Sequence, residues 1–581
     1  MINCKINGKP VQVEDGVTIL EAAEKVNIKI PTLCYNPDLP PWAACGLCIV
    51  RMEGSPKMVR ACTTPISEGM AVVTHDAELI EVRKTVLELI LSNHPSDCLQ
   101  CPRNGSCELQ TMAAEFGIRE TPFARVLNGL PVDDSNPAII LNPEKCIRCG
   151  RCVKVCQEMQ NVWALEFLGR GIKGRIASAA ETPLGESPCI KCGQCAAHCP
   201  VGAIYERDDT IKVWRALQNP EFHTVVQIAP ATRVALAEEF GMAPGTIATK
   251  KMYAALRRLG FNTVFDTNFS ADLTIMEEGT ELVTRLTKGG DIPLITSCCP
   301  AWVDYMEKYY TDMIPNFSTA KSPQQMMGAM IKSYWAGKAG VDPDKVCSVS
   351  VMPCTAKKWE ISRNDDMKSA GHGYDVDISI TTRELARMIK QAGIEILKLE
   401  DEEADSPLGP YTGAGTIFGA TGGVMEAAVR SAYFLVTKKE LGDVNFMPVR
   451  GLEGVKEAEV DLDGTKIKIA VAHQMGNIAA VLDKIRSAKA VGQPSPWQFV
   501  EVMACRGGCV GGGGQPYGCT DEIRSQRAGG LYTDDSQSQY RCSHQNPFIT
   551  QVYKEFLGEP NGHKAHELLH TTYQARDLYV K

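Results

Sequence analysis

The chemistry in this chain is carried by sulfur. Most of its 24 cysteines fall in groups separated by two or three residues. Cys34, Cys45, Cys48 and Cys62 form the first group, and Cys98, Cys101 and Cys107, with His94 just upstream, form the second. Cys146, Cys149, Cys152 and Cys156 follow a Cys-x2-Cys-x2-Cys-x3-Cys rule, which Cys189, Cys192, Cys195 and Cys199 repeat. Three further motifs stand apart: TSCCPAW at 296–302, MPCTAKKWE at 352–360 and EVMACRGGCVGGGGQP at 501–516. Thiolates at such spacings can grip one soft metal centre from several sides. Disulfide pairing is the other use of an even cysteine count, but it belongs to short secreted chains. In a chain of 581 residues the clustering favours metal.

The paired run is that of bacterial two-cluster ferredoxins, in which the fourth cysteine of each run ligates the other cluster. It gives one 4Fe-4S cluster to Cys146, Cys149, Cys152 and Cys199, and another to Cys189, Cys192, Cys195 and Cys156. Pro200 follows the second run, whereas Gln157 stands where the usual proline would follow the first. The first group resembles the 2Fe-2S ferredoxin domain that opens hydrogenases and the large iron-sulfur subunit of respiratory complex I. Its first gap is ten residues, against four in the plant-type run; zinc is the alternative occupant. The ligand types around His94 suit either a 4Fe-4S cluster or a structural zinc. Their place directly after a ferredoxin-like segment matches the histidine-ligated 4Fe-4S module of the same two families. These groups describe a wire and leave open what it feeds.

The elements that must position these groups divide the chain into four stretches. Residues 1–79 read as short strands with one helix: KINGKPVQVEDG predicts a hairpin turning at Asn7-Gly8, and TILEAAEKVN has helical spacing. Residues 80–137 read as mostly helical, and residues 138–208 as cysteine-rich and loop-rich. From 209 to 581, strand-like runs alternate with helical patterns. HTVVQIAP precedes ATRVALAEEFG, KVCSVSVMPC precedes TAKKWE, and KIKIAVAH precedes MGNIAAVLDKI. Such alternation predicts parallel sheets covered by helices. The fold class is multidomain α/β and α+β. Each remote cysteine motif falls after a strand, where ligands gather in open α/β sheets. The acidic stretch 401–410 reads as a solvated connection.

Within those motifs, Cys505 and Cys509 are four apart and can face one way on a helical turn, with glycines following to let backbone approach a bulky ligand. Cys298 and Cys299 are neighbours and should point differently, which leaves one ligand and one free thiol. That thiol is either a proton carrier or an inert buried group. Glu278, Glu281 and Arg285 lie on one helical face, which by spacing alone suggests an ion pair in solvent. Cys4, Cys347, Cys519 and Cys542 read as incidental thiols, and His473 and His570 as structural. The glycines from Gly413 to Gly419 lack the dinucleotide-binding spacing.

The three remote motifs resemble the H-cluster motifs of FeFe hydrogenases, and the resemblance extends over essentially the whole chain. It implies a 4Fe-4S cube on Cys299, Cys354, Cys505 and Cys509. Cys509 would bridge to a two-iron subsite carrying carbon monoxide, cyanide and a dithiolate. By the same resemblance Cys298 is the proton-transfer thiol and Lys357 hydrogen-bonds a cyanide. Met352, Met503, Pro230, Ala231, Gln324 and Phe418 surround the subsite. Cys298, Glu278, Ser318 and Glu281 form a proton relay with Arg285 at its mouth. Ala301 replaces a frequent glycine at a position that should not bind metal. The implied fold is a β-grasp ferredoxin domain, a helical histidine-ligated domain, a two-cluster ferredoxin domain and a two-lobed α/β H-cluster domain. The implied cofactors are one 2Fe-2S cluster, three relay 4Fe-4S clusters and the H-cluster, and the implied activity is reversible reduction of protons to hydrogen.

Composition narrows the partners. The net charge is −8 and no Lys/Arg-rich run is present, so nucleic acid is not expected. No apolar run reaches the ~20 residues of a membrane helix, and MINCKINGKPVQVEDG lacks the apolar core of an export signal; the expectation is a cytoplasmic chain. With no flavin or nucleotide motif of its own, the chain should exchange electrons with other proteins. The expected ones are a flavin- and NAD(P)-binding subunit with a small 2Fe-2S subunit, or a soluble ferredoxin; dedicated maturation enzymes should assemble the subsite. A non-catalytic electron-transfer subunit would need no TSCCP motif. A hydrogen-sensing regulator is disfavoured by Cys298 and by the lack of a recognisable sensor domain.

Overall fold

The computed structural model describes residues 1–462 and 464–580. Asn7 and Gly8 both take left-handed backbone, at φ 48° and 76°, as a two-residue hairpin turn requires. They join β1 (Ile2–Ile6) to β2 (Lys9–Val13). With β3 (Ile49–Met52), β4 (Met58–Arg60) and β5 (Ala71–Val73) these make one sheet in the order β2-β1-β5-β3-β4. The helix Ile19–Glu24 starts at Thr18, whose side chain and Glu21 cap each other reciprocally.

The next stretch is less helical than its sequence suggests. Helices Ala77–Ser92 and Glu108–Glu115 form, but residues 116–137 run without regular structure. Pro122, Pro131 and Pro137 remove helix donors there, and no apolar face recurs. Residues 138–208 contain two antiparallel pairs: β6 (Ile139–Leu141) with β9 (Ile204–Glu206), and β7 (Glu166–Leu168) with β8 (Arg175–Ala177). Gly150 and Gly193, each directly after a cysteine, adopt φ 80° and 71° and start the equivalent short helices Arg151–Lys154 and Gln194–His198.

The remainder is built on two four-stranded sheets. The first contains β10 (His223–Ile228), β11 (Thr263–Asp266), β13 (Val346–Met352) and β14 (Ile378–Thr381), all parallel, in the order β11-β10-β13-β14. The second contains β12 (Leu294–Ile295), β15 (Val455–Leu462), β16 (Thr465–His473) and β17 (Phe499–Met503), in the order β12-β17-β16-β15, with only β15 antiparallel. The strands end level: Ile228 pairs with Val351, Met352 with Thr381, and His473 with Met503. The helix Thr267–Lys288, capped by Asp266, is buried over most of its first three turns.

The acidic stretch 401–410 is tied down rather than freely solvated. Arg257 pairs with Glu402 at 2.8 Å and with Asp405 at 3.0 Å, and Leu408 is fully buried. At the other end of the chain, residues 570–580 form a strap. Thr571 N–H donates to the Thr319 carbonyl, Arg576 N–H to that of Glu307, and Val580 N–H to that of Glu186. Among the described residues no helix is long and apolar enough to cross a membrane.

Candidate active site and its electron relay

The carboxyl ends of β10, β12, β13 and β17 open onto one cavity. Their trailing residues line it: Pro230 and Ala231 after β10, Cys298 and Cys299 after β12, Cys354 after β13, and Cys505 and Cys509 after β17. Gln324, Met352, Lys357, Phe418 and Met503 complete the part of the wall expected from sequence. Thr267, Ala271, Pro323 and Gly419 line it too and carried no signal in the sequence. The segment between Cys505 and Cys509 is not a helical turn. It is bent by Gly507 and Gly508, at φ 75° and 90°, and a short 3-10 turn begins only at Cys509. The glycines reorient the backbone, so both sulfurs reach one cavity without helical spacing.

The donor set fits the implied cluster. Four thiols from three remote segments border one space, enough to meet the four corners of a cube. Apart from Lys357, Gln324 and Thr267 the rest of the wall is apolar, which suits a second, less polar part of the group. Lys357 is buried, and its ammonium donates to the Cys298 carbonyl at 3.2 Å and to Glu360 at 2.8 Å. Burial works against its charge, but Glu360 outweighs burial and holds the ammonium above its usual range. Glu360 also accepts from Ser322 Oγ and Gln324 Nε2, both at 2.9 Å. Glu360 was overlooked in the sequence, although its three-residue spacing from Lys357 in TAKKWE was available as a signal.

Beside the cavity lies a file of titratable groups. Cys298 is half-buried on the cavity wall, and desolvation first, then Glu278, raises its thiol well above the ordinary range. Glu278 is wholly buried; burial, reinforced by Glu281, pushes its carboxyl up to about 8, and nearby Ser318 and Ser297 offset only part of this. Ser318 Oγ donates to Glu281 Oε2 at 3.0 Å, and Arg285 Nη2 donates to Glu281 Oε1 at 2.7 Å. The Glu281–Arg285 pair does have helical i,i+4 spacing, but each side chain is only 13% exposed.

The other cysteine groups also assemble. None of the 24 cysteines is in a disulfide. Cys156, Cys189, Cys192 and Cys195 line one cavity, and Cys146, Cys149, Cys152 and Cys199 line another. The Cys45 N–H points at Cys34 Sγ at 3.5 Å, and Cys48 Sγ lies 3.4 Å from Cys62 Sγ. His94 is buried, and its Nδ1–H donates to the Pro95 carbonyl at 2.8 Å, which leaves Nε2 buried without a partner. That is the arrangement of a metal-binding imidazole, and it fits a metal centre shared with Cys98, Cys101 and Cys107. Cys98 is exposed. His570 bonds to Thr319 Oγ1 at 2.8 Å and to Glu277 at 3.0 Å, a structural role as read from sequence.

One relay cavity abuts the central one. Thr355 Oγ1 donates to the Lys191 carbonyl at 2.7 Å, and Gln194 Nε2 donates to that of Gly511 at 2.9 Å. A Cβ on Gly513 would sit 2.3 Å from the Cys192 carbonyl oxygen. The backbone after Cys509 therefore lies directly on the loop carrying Cys192.

Cysteine-lined cavities leading to a sulfur-rich site at the strand ends of an α/β domain define an iron-sulfur oxidoreductase. The comparisons with known proteins specify which kind. Residues 222–513 match the family described as iron only hydrogenase large subunit, C-terminal domain, and residues 521–576 match the iron hydrogenase small subunit family. Residues 1–77 match a 2Fe-2S iron-sulfur cluster binding domain, residues 83–122 the NADH-ubiquinone oxidoreductase-G iron-sulfur binding region, and residues 145–203 a 4Fe-4S dicluster domain. The NADP-reducing hydrogenase subunit HndD of Solidesulfovibrio fructosivorans is 46% identical over 99% of each chain. Iron hydrogenase 1 of Clostridium pasteurianum is 41% identical over 98% of this chain and 99% of its own. A structure of a variant of FeFe-hydrogenase HydA1 from Chlamydomonas reinhardtii aligns with a TM-score of 0.56 at 42% identity, covering 64% of this chain and 100% of that one. The chain belongs to the FeFe hydrogenase family: it is a hydrogenase with an H-cluster domain and amino-terminal 2Fe-2S and 4Fe-4S domains.

Proposed function

We propose that the chain interconverts two protons and two electrons with hydrogen at a cluster held by Cys299, Cys354, Cys505 and Cys509. Bound there, the cluster supplies the metal at which protons and electrons combine. The observation that carries this reading is the single cavity bordered by four candidate ligands and a fifth thiol. Cys298 passes protons between the cavity and Glu278, and Ser318, Glu281 and Arg285 continue the route outward. Lys357, oriented by Glu360, offers a charged donor to an anionic ligand. Pro230, Ala231, Gln324, Met352, Phe418 and Met503 shape the pocket and exclude water.

Four relay clusters would carry the electrons. Cys34, Cys45, Cys48 and Cys62, in a β-grasp domain at 1–79, would hold a 2Fe-2S cluster. A 4Fe-4S cluster on His94, Cys98, Cys101 and Cys107 occupies 80–137, and two more occupy 138–208 with crossed ligation; 209–581 is the two-lobed catalytic domain. Exposed Cys98 and its neighbour Leu99, 91% exposed, suit docking of a redox partner. By analogy with the NADP-reducing hydrogenase subunit, that partner is a flavin- and NAD(P)-binding subunit, with a small 2Fe-2S subunit, in a cytoplasmic complex.

The test is infrared spectroscopy of protein matured by its assembly enzymes, with a viologen-linked hydrogen assay. Carbonyl and cyanide bands with hydrogen turnover are expected; properly matured protein without those bands would end the proposal. Cys298→Ser should keep the bands and lose turnover by about 10²-fold or more. Full activity would remove Cys298 from the proton route.

A further inference from the structure

The ten residues between Cys34 and Cys45, YNPDLPPWAA, do more than span two ligands. Their side chains reach out of the ferredoxin domain. The Asp38 carboxylate is 4% exposed and accepts from Arg524 Nη1 at 2.9 Å and from Arg524 Nη2; His198 Nε2 lies 3.6 Å away and Arg506 Nε 3.8 Å. Leu39, 7% exposed, joins the apolar core that contains Cys152, Val153 and Trp302. The Trp42 ring stacks on Phe167, with centroids 5.6 Å apart and planes 4° apart, and Lys154 Nζ lies 4.7 Å from its centroid. It also covers Gly150 so closely that a Cβ there would meet its ring at 2.8 Å. Pro37, Pro40 and Pro41 hold the arm stiff.

These anchors converge. Gly150 lies between Cys149 and Cys152, and His198 precedes Cys199; all three cysteines line one relay cavity. Arg506 follows Cys505 in the central cavity. We infer that residues 35–44 are a docking arm, with Asp38 and Trp42 as positioning residues that fix the 2Fe-2S domain against the Cys146/Cys149/Cys152/Cys199 centre and the catalytic domain. The lengthened gap between the first two ligands exists to carry this arm. The inference rests on the ligand assignments proposed above.

Full-length holoprotein tests it. In wild type, the 2Fe-2S electron paramagnetic resonance signal should relax faster once the neighbouring 4Fe-4S centre is reduced, and the 35–44 amides should resist hydrogen exchange. Asp38→Asn and Trp42→Ala should each keep iron content and the 2Fe-2S signal, yet lose the relaxation enhancement and the protection; Asp38→Glu and Trp42→Phe should restore part of both. Arg524→Gln approaches the same contact from the catalytic domain and should reproduce Asp38→Asn, which covers the case in which a change in the arm costs the cluster itself. Unchanged relaxation and protection in Asp38→Asn, Trp42→Ala and Arg524→Gln would overturn the docking role. Wild-type protein with no 2Fe-2S signal would instead overturn the ligand assignment, and the arm's role with it.

Discussion

Glu278 is wholly buried, with Ser318 and Ser297 near its carboxyl but neither in a well-formed hydrogen bond to it. Burial and Glu281 raise its pKa to about 8 from 4.5. Between those values the folded chain holds a proton that the unfolded chain has released. The native state therefore binds more protons, and stability falls as pH rises through this window. Glu278→Gln removes the slope. Relative to wild type, the variant should gain about 2 kcal/mol between about pH 6 and about pH 8, read from urea midpoints. Turnover should fall in the same variant, because the amide cannot take up and release the proton. A stability difference that did not change with pH would show that Glu278 is already ionised in the fold. Glu278 lies close enough to Cys298, Ser318 and Glu281 to interact with each, which is what supports the proposed proton role; spacing alone suggests a surface ion pair.

At the scale of elements, the loop from β17 to Cys509 decides whether the cavity has four ligands or two. Gly508 takes φ 90° and ψ −152°, a region essentially restricted to glycine. A Cβ there would lie 2.7 Å from both Met503 Sδ and Thr421 N. Gly508→Ala should strain the turn by about 1–3 kcal/mol and displace Cys509. The expected result is loss of the carbonyl and cyanide bands with the relay signals intact; retained bands would show that the turn can relax. Which cysteines share a cavity was legible in the sequence because their spacing and the strand ends are local properties. The glycine run was legible only in part. Glycines 512 and 513 do permit close approach, but to protein: a Cβ would meet the Pro353 carbonyl oxygen at 2.2 Å and that of Cys192 at 2.3 Å. Those neighbours come from distant segments, so no local pattern announces them. The run 116–137 departs from the mostly helical reading of 80–137 because the helical patterns that carry that reading end near 118, and Pro122, Pro131 and Pro137 follow.

Across the whole molecule, relay and catalytic parts are joined by buried charge. Arg383, from the helix Thr382–Gln391, donates to both oxygens of Glu206 in β9, at 2.9 and 2.8 Å, with side chains 5% and 7% exposed. The two residues are 177 positions apart, too far for any spacing rule to pair them. Tyr517 extends the junction: its hydroxyl donates to Glu206 at 3.1 Å, and its ring lies 4.2 Å from the Arg383 guanidinium and 3.5 Å from that of Arg103 in the His94 stretch. Burial works against the Glu206 charge, but Arg383 outweighs it and holds the carboxyl down at about 2. A carboxylate depressed in the fold stabilises above its unfolded pKa, near 4.5, and that contribution disappears as pH falls toward 2. At neutral pH the contribution is fully present. Glu206→Gln would leave a buried guanidinium without its counter-charge, at a cost of about 3–5 kcal/mol. Replacing both residues by methionine removes the uncompensated charge, so the double variant should recover much of the loss. Urea midpoints of the single and double variants at neutral pH decide the matter. Added salt should rescue neither, since a pair this buried is screened far less than a surface one. If the single variant unfolded at the wild-type midpoint, the junction would be held by the surrounding apolar core, and the ion pair would set only the register between the two parts.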